Sequence, residues 1–197
     1  MAGGGGARKK ENIVLKSKLW MAVAAAGALM ATGMPALAGD GAVDEVRIGI
    51  YDHNTNLFGT RHETSNPDIN GEVLFKTPDF LEWAWAPRPI VGANVNTGGG
   101  TSIGYAGLAW DYDFTQSLFV EGTFGGAIHN GHTSGPTNGR DRNNYGCRVM
   151  FHESASLGYR FDENVSVMLT VDHMSNASLC DENPGLTDAG VRLGYSF

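Results

Sequence analysis

Apolar and polar residues alternate along most of the chain after residue 44, with the period of two that is typical of half-buried β-strands. Turn-forming residues interrupt this alternation. We therefore predict eight strands, at residues 45–53, 71–77, 89–97, 101–114, 117–130, 146–161, 164–176 and 186–197. In this part of the chain only PDFLEWAW, at residues 78–85, has a spacing compatible with a helix. The pattern predicts an all-β fold.

The last strand distinguishes a membrane barrel from a soluble sandwich. In VRLGYSF, the apolar Val191, Leu193, Tyr195 and Phe197 alternate with arginine, glycine and serine. Outer-membrane barrels produce this pattern, because apolar residues face lipid while small or polar residues face the lumen. The fifth and sixth predicted strands repeat it with charged residues on the polar side, where a sandwich would have its core. We predict an eight-stranded antiparallel transmembrane β-barrel of the outer membrane.

The connections between the predicted strands support this topology in part. Outer-membrane barrels have short periplasmic turns and longer outer loops. With both termini in the periplasm, the outer connections are residues 54–70, 98–100, 131–145 and 177–185, and three of these four are the longer ones. The short connection at 98–100 and the intermediate one at 78–88 fit the rule less well.

The interior of an eight-stranded barrel is only wide enough to be filled by side chains. Alternation places six charged or titratable residues there, namely Glu121, Arg148, His152, Arg160, Asp172 and Arg192. Buried polar groups are normally paired with one another. We therefore expect a closed polar network rather than a channel.

Residues 1–38 have the features of a secretory signal peptide. Basic residues precede an apolar run from Met21 to Met34, and PALAGD offers a small-residue cleavage site after Ala38. The run is too short to cross a bilayer as a helix. We therefore expect the barrel domain at residues 39–197. The whole chain has a formal net charge of −7, and the part after the basic leader is more acidic still, which argues against nucleic acid as a partner.

Two cysteines, Cys147 and Cys180, follow the predicted leader. Export to an oxidising compartment permits a disulfide between them, but the sequence does not determine whether it forms. Two cysteines alone make no metal site, and we expect no metal or other cofactor.

The segment HMSN, at residues 173–176, contains the candidate chemistry. By alternation His173 and Ser175 continue the outward apolar stripe of the seventh strand, near its outer end. Residues i and i+2 of a strand lie about 7 Å apart on one face, within reach of an imidazole and a hydroxyl. Histidine is the usual base that activates a serine nucleophile, and a nucleophile that faces lipid suits a lipid substrate. Polar residues are also ordinary at a membrane interface, so the pair alone is weak evidence.

The block HMSNASLCDENPGLTDAGVRLGYSF, from His173 to the C-terminus, resembles the C-terminal signature of the outer-membrane lipid A 3-O-deacylase (PagL) family. FVEGTFGGAIHNG (119–131), SLGYRF (156–161) and DEVRIGIYDHN (44–54) resemble further stretches of that family. The resemblance implies a barrel with a serine-hydrolase site on its lipid-facing exterior. Such an enzyme removes the 3-O-linked acyl chain of lipid A and needs no cofactor.

Carried onto this sequence, the resemblance implies that Ser175 is the nucleophile and His173 the general base, with Asn176 and Asn183 as candidates to stabilise the oxyanion. The family places a catalytic acid twelve residues after the serine, where this chain has Thr187. A bulge that turns Asp188 outward, a carboxylate from Asp181 or Glu182, or a Ser-His dyad would each fill this gap. We favour Asp188. An inactive relative is a further alternative.

Two other classes of protein remain open at this point. A non-enzymatic outer-membrane barrel would serve adhesion or envelope integrity, and it would have no need of an outward His-x-Ser-Asn segment. A periplasmic sandwich or lipocalin-like binder would not be a membrane protein. The hypothesis we favour has lipid A, or lipopolysaccharide, as substrate and outer-membrane lipids as surroundings. The oligomeric state, a homodimer included, is left open.

Overall fold

A computed structural model describes residues 41–55, 57, 63, 66–135 and 142–197 of the chain. The predicted signal peptide lies outside the described residues. Eight strands form one closed barrel. They are β1 (Val43–Asp52), β2 (Asp68–Phe75), β3 (Arg88–Asn96), β4 (Ile103–Asp113), β5 (Leu118–His129), β6 (Val149–Arg160), β7 (Val165–Ser175) and β8 (Leu186–Ser196). The described part of the chain contains no helix that is long and apolar enough to cross a membrane.

Every strand pairs in antiparallel fashion with its neighbours in sequence, and β1 closes the barrel against β8 through pairs such as Ile48 with Leu193. All eight predicted strands are confirmed, with ends that differ by a few residues. The segment PDFLEWAW forms a short 3-10 helix at Asp79–Ala84. The prediction of an eight-stranded antiparallel barrel is therefore confirmed.

Side chains alternate strictly between the two faces of the sheet. In β7 the even-numbered residues are buried and the odd-numbered ones are half-buried or exposed. The outward face carries large apolar side chains with 40% or more of their surface exposed, such as Leu169 at 61%, Phe124 at 55% and Val191 at 44%. An apolar exterior over a polar interior is the arrangement of a membrane barrel, and it is the reverse of a soluble sandwich.

The interior holds a closed network of charged side chains. The fully buried Arg47 donates to Glu121 at 2.7 Å and to Glu45 at 2.8 Å. Arg192, with no exposed surface, donates to Glu72 and to the hydroxyl of Ser156. These side chains cross the lumen between distant strands and form mutual ion pairs, and buried apolar side chains such as Leu74, Met150 and Met174 also pack in the interior. This agrees with the predicted polar network and with neither an open channel nor a ligand-binding calyx.

Two arginines depart from the predicted interior. Arg148 lies just before β6 and is exposed, with its guanidinium bonded to the carbonyls of His129 and Gly131. The prediction that it faces the lumen is wrong, because the sixth strand begins later than the alternation suggested. Arg160 does point inward, but at the far end of β6, where it is half-buried and pairs with Asp113.

The two longest connections lie at one end of the barrel, which corresponds to the predicted outer side. Of the described residues, 53–55, 57, 63, 66–67, 97–102, 130–135, 142–148 and 176–185 lie at this outer end, whereas 76–87, 114–117 and 161–164 lie at the other. A disulfide between Cys147 and Cys180 joins the last two outer connections. The outer loop that follows β7 is thereby tied to the start of β6.

Candidate active site

His173 and Ser175 lie at the outer end of β7, on the outward face, and both are half-buried. Their cross-strand neighbours differ in character. Ser175 pairs with Phe151 of β6, whereas His173 pairs with Glu153 of β6 and with Thr187 of β8. The strand ends at Ser175, so the serine sits where the regular sheet gives way to the loop at residues 176–185.

Thr187 contacts the imidazole directly. Its Oγ1 lies 2.7 Å from Nδ1 of His173, and the threonine is only 2% exposed. The position at which the family resemblance requires an acid is therefore next to the histidine in space, although it holds a hydroxyl. A hydroxyl that accepts from Nδ1–H fixes the tautomer in which Nε2 carries a lone pair.

Asp188 points the other way. Its carboxylate lies on the inner face of β8, where Oδ1 accepts a hydrogen bond from the backbone N–H of Asn54 at 2.7 Å. The register of β8 against β1 and β7 runs without a shift, so no bulge turns this residue outward. The prediction that Asp188 serves as the acid for His173 is thus corrected, because the regular alternation holds through this position.

The two asparagines organise the loop at residues 176–185 in different ways. The carboxamide nitrogen of Asn176 donates to the carbonyl of Tyr145 at 2.8 Å and to that of Glu182 at 2.6 Å. Both of its N–H bonds are therefore engaged, and the residue is 2% exposed. Asn183 is exposed and accepts from the backbone N–H of Asn176 through Oδ1 at 3.0 Å, so its own N–H bonds remain to be offered. The alternative carboxylates at Asp181 and Glu182 are exposed in the same loop.

Gly185 brings the end of this loop against the imidazole. A Cβ at this position would lie 3.0 Å from Cε1 of His173, and the backbone has φ of +67°, in the left-handed region. Only glycine adopts this conformation readily and leaves room for the ring. Gly185 therefore lies against His173 on the side of Cε1 and Nε2.

An apolar groove of about 270 Å³ opens beside Ser175 on the outward face. Its lining comes from the outer ends of β5 and β6 and from the loop after β7, and includes Phe124, Gly126, Val149, Phe151 and Leu179. Two of its lining residues, Phe151 and Asn176, are the cross-strand and the chain neighbour of Ser175, so the groove lies next to the serine. It suits an extended hydrocarbon chain better than a polar ligand.

Sequence reasoning missed this groove and the contact between His173 and Thr187. The pair of glycines at 125–126 is the one local signal for the groove, since it removes side chains from the outer half of β5. The contact follows from the register between β7 and β8, which alternation alone does not specify.

Comparison with known proteins gives one family and several similar folds. Residues 81–196 match the family model described as lipid A 3-O-deacylase (PagL). The crystal structure of the outer membrane enzyme PagL has 17% identity and a TM-score of 0.54, covering 79% of this chain and 100% of that one. The N-terminal β-barrel domain of Pseudomonas aeruginosa OprF has 11% identity and a TM-score of 0.52, covering 79% and 98%. A de novo designed transmembrane β-barrel has 12% identity and a TM-score of 0.50, covering 79% and 96%.

No curated protein matches the chain. At these identities the likeness to solved structures concerns the fold alone, and the fold they share is that of outer-membrane barrels.

Proposed function

Because this chain belongs to the lipid A 3-O-deacylase (PagL) family, and is therefore a lipid A deacylase, we propose that it cleaves the ester with Ser175 as nucleophile and His173 as general base. The single observation that carries this proposal is the outward-facing pair at the end of β7, with the His173 Nδ1 held 2.7 Å from Thr187 Oγ1. The membrane in which this reaction takes place is the bacterial outer membrane.

The reaction proceeds through a covalent acyl-enzyme. With Nδ1–H donated to Thr187, Nε2 of His173 accepts the proton of Ser175 as Oγ attacks the acyl carbonyl carbon. The tetrahedral intermediate collapses, the bond to the sugar oxygen breaks, and His173 returns its proton to that oxygen. A water molecule, deprotonated by the same Nε2, then attacks the acyl carbonyl carbon; the bond to Ser175 Oγ breaks, His173 returns the proton to Oγ, and the fatty acid leaves.

The loop at residues 176–185 supplies oxyanion stabilisation. Asn183 offers its side-chain N–H bonds, as its oxygen is engaged by the backbone of Asn176. Asn176 acts through the loop instead of through the oxyanion, since both of its side-chain N–H bonds hold backbone carbonyls. Removing one oxyanion donor typically costs about 10²- to 10³-fold in kcat, and we expect that loss for Asn183→Ala.

The groove beside Ser175 receives the acyl chain that is cut. It is apolar, faces the lipid and begins at Phe151, next to the nucleophile. A chain lying in it would place its ester carbonyl at the end of β7. The substrate therefore reaches the site sideways from the outer leaflet and never enters the polar interior.

The absence of a carboxylate at position 187 makes this a slow member of its family. A hydroxyl orients the imidazole through one hydrogen bond, but it adds no charge to stabilise the imidazolium. In serine proteases the triad aspartate contributes about 10⁴-fold to kcat. Thr187 still orients the imidazole, but it does not stabilise the charge of the imidazolium.

The test is mass spectrometry of lipid A from cells that produce the wild-type chain, the Ser175→Ala variant or a Ser117→Ala control at the opposite end of the barrel. We expect loss of one 3-hydroxyacyl chain with the wild type and the control, and intact lipid A with Ser175→Ala. Identical lipid A in all three strains would leave a non-enzymatic barrel as the better account.

A further inference from the structure

The connection between β2 and β3, at residues 76–87, carries aromatic side chains that take no part in the barrel interior or in the proposed active site. It lies at the end of the barrel opposite the outer connections, which we call the periplasmic end. Phe80, Trp83 and Trp85 are 72%, 84% and 89% exposed there, more than the lipid-facing Leu169 at 61%. A cluster of exposed aromatic side chains marks an interaction surface.

The short 3-10 helix in this connection has three distinct faces, because its period is three residues. The first face is half-buried, the second is exposed and apolar, and the third is exposed and acidic. The residue pairs on these faces are, in that order, Leu81 with Ala84, Phe80 with Trp83, and Asp79 with Glu82. A helix with one face on the protein, one apolar face and one polar face is suited to lie in a membrane interface.

Trp110 holds this helix against the outward face of the barrel. It faces outward on β4, since its neighbour Asp111 joins the interior ion pairs. Its indole Nε1 donates to the carbonyl of Ala84 at 2.9 Å. The two ends of the connection are also joined, because the hydroxyl of Thr77 donates to the carbonyl of Ala86 at 2.9 Å. The helix therefore lies beside the barrel wall and does not extend freely from the end of the barrel.

Three pairs of aromatic rings lie at the same end of the barrel, on β4, β6 and β8. Each pair packs edge to face, with ring centroids 5.3 or 5.4 Å apart. The pairs, which we call the aromatic girdle, are Tyr112 with Phe114, Tyr159 with Phe161, and Tyr195 with Phe197. Outer-membrane barrels have such girdles at the boundaries of the membrane. Tyr112 is two residues from Trp110 on β4, so the helix adjoins the girdle and extends it to β2 and β3.

The height of the barrel wall places the girdle at a membrane boundary. Val165, at the start of β7, pairs with Tyr195 of the girdle, and the strand has 11 residues and ends at Ser175. With a rise of about 3.3 Å per residue and a tilt of about 40°, β7 covers about 25 Å along the barrel axis. The apolar band of outer-membrane barrels is also about 25 Å tall. The girdle is therefore at the periplasmic boundary when Ser175 is at the outer one.

We propose that residues 78–86 are an interfacial anchor, which inserts Phe80, Trp83 and Trp85 into the headgroup boundary of the glycerophospholipid leaflet on the periplasmic side. Tryptophan suits this position because its ring is apolar while its N–H can bond to water or to a headgroup. Continuity with the aromatic girdle favours lipid over a periplasmic protein as the partner of this surface. The anchor fixes the depth and tilt of the barrel from the leaflet opposite the one that Ser175 faces.

The positions of the four tryptophans make intrinsic fluorescence a specific test. Trp20 belongs to the predicted signal peptide, and the others are Trp83, Trp85 and Trp110. Two forms of the full chain are compared, one with Trp20→Phe and one that also carries Trp83→Phe and Trp85→Phe. The difference between their emission spectra comes from Trp83 and Trp85, while Trp110 stays in place in both forms.

Both forms are inserted into phosphatidylcholine vesicles, and folding is checked by heat-modifiable gel mobility. The lipid carries bromine either near the carbonyl end or near the middle of its acyl chains, and iodide on both sides of the bilayer serves as the aqueous quencher. Two controls are made in the form that lacks Trp83 and Trp85. Leu169→Trp places an indole on the lipid-facing side of β7, and Ser134→Trp places one in an exposed outer connection.

We expect the emission of Trp83 and Trp85 to be shifted to shorter wavelength than that of Ser134→Trp and to be protected from iodide. Bromine near the carbonyl end should quench it most, whereas Leu169→Trp should be quenched most by bromine near the chain middle. The proposal is overturned if iodide quenches Trp83 and Trp85 as strongly as Ser134→Trp and neither brominated lipid does, because the cluster would then lie in water, open to a periplasmic partner. Quenching with the same depth profile as Leu169→Trp would also contradict an anchor at the headgroup boundary.

Discussion

Thr187 is the position at which a single substitution tests the proposed mechanism most directly. Its hydroxyl lies 2.7 Å from His173 Nδ1, on the outward face and 2% exposed. In Thr187→Glu a carboxylate would take the place of a neutral acceptor. The bond would then be charge-assisted, and the imidazolium that forms during the reaction would have a counter-charge.

The size of the effect follows from the difference between the two kinds of hydrogen bond. A neutral bond contributes about 1 kcal/mol net and a bond to a charged group about 1.5–3 kcal/mol. The gain of about 0.5–2 kcal/mol corresponds to roughly 2- to 30-fold in kcat. Against this, the larger side chain must fit a buried position, and overpacking typically costs about 1–3 kcal/mol of stability. We therefore expect faster turnover from a less stable protein.

The assay is the rate of fatty acid release from purified lipid A in detergent micelles. Thr187→Glu should raise kcat, because a carboxylate stabilises the imidazolium that forms during the reaction. Two controls separate charge from shape. Thr187→Gln has the length of glutamate without its charge and should show no gain, and Thr187→Val lacks the hydroxyl and should be slower than the wild type. Wild-type activity in Thr187→Val would refute the role given to this hydroxyl.

Two further predictions concern glycines near the site. Gly185→Ala should lower kcat by about 10-fold or more while the barrel still folds, because its Cβ would lie 3.0 Å from His173 Cε1. The control is Gly99→Ala, which should leave the rate unchanged. Gly99 also has a positive φ, but a Cβ there would have no atom within 4 Å. Equal rates in the two variants would show that the contact with His173 is unimportant. Gly126→Leu should obstruct the groove and shift activity toward shorter acyl chains, measured on lipid A species of different chain length. Gly122→Leu is the control and should cause no such shift, because Gly122 faces outward on the same strand but lies outside the groove. An unchanged chain preference in Gly126→Leu would place the acyl chain elsewhere.

The fold could be predicted from the sequence because alternate residues of a membrane barrel face two different environments, the lipid and the lumen. Because one face of the sheet meets lipid and the other a packed polar lumen, few residue types are suitable at each position of β7 or β8. The positions of the strand ends are harder to predict from alternation. Asp68, Ile69 and Asn70 belong to β2. The polar Asp68 and Asn70 resemble loop residues in the sequence because they face a polar interior. Arg148 was wrongly predicted to face the lumen because the loop before β6 continues the alternating pattern by chance.

The site was predictable in part for the same reason. Parity alone places His173 and Ser175 outward, and the structure agrees. The partner of His173 depends on how β8 is registered against β7, and the groove depends on two strands and a loop that are distant in sequence. Asp188 of β8 lies 3.5 Å from His53 only because β1 closes against β8. No local spacing in the sequence predicts that contact.

The energetic cost of turning β8 explains why Asp188 faces the barrel interior, although a carboxylate on the outward face would strengthen the hydrogen bond to His173. A slip of β8 by one residue would turn Asp188 toward His173, but it would also turn every other residue of the strand. Arg192 would then face lipid, at a cost of about 2–4 kcal/mol near the bilayer midplane. Its partner Glu72 would lose this cation and keep only the longer contact with Arg47, at 3.5 Å, as a counter-charge. The charged hydrogen bond to His173 would return only about 0.5–2 kcal/mol. A bulge confined to residues 187–188 would spare Arg192, but it would withdraw Asp188 from Asn54 and His53 at the closure of the barrel. The contacts in the interior therefore determine which face Asp188 occupies, and His173 is left with the hydroxyl of Thr187.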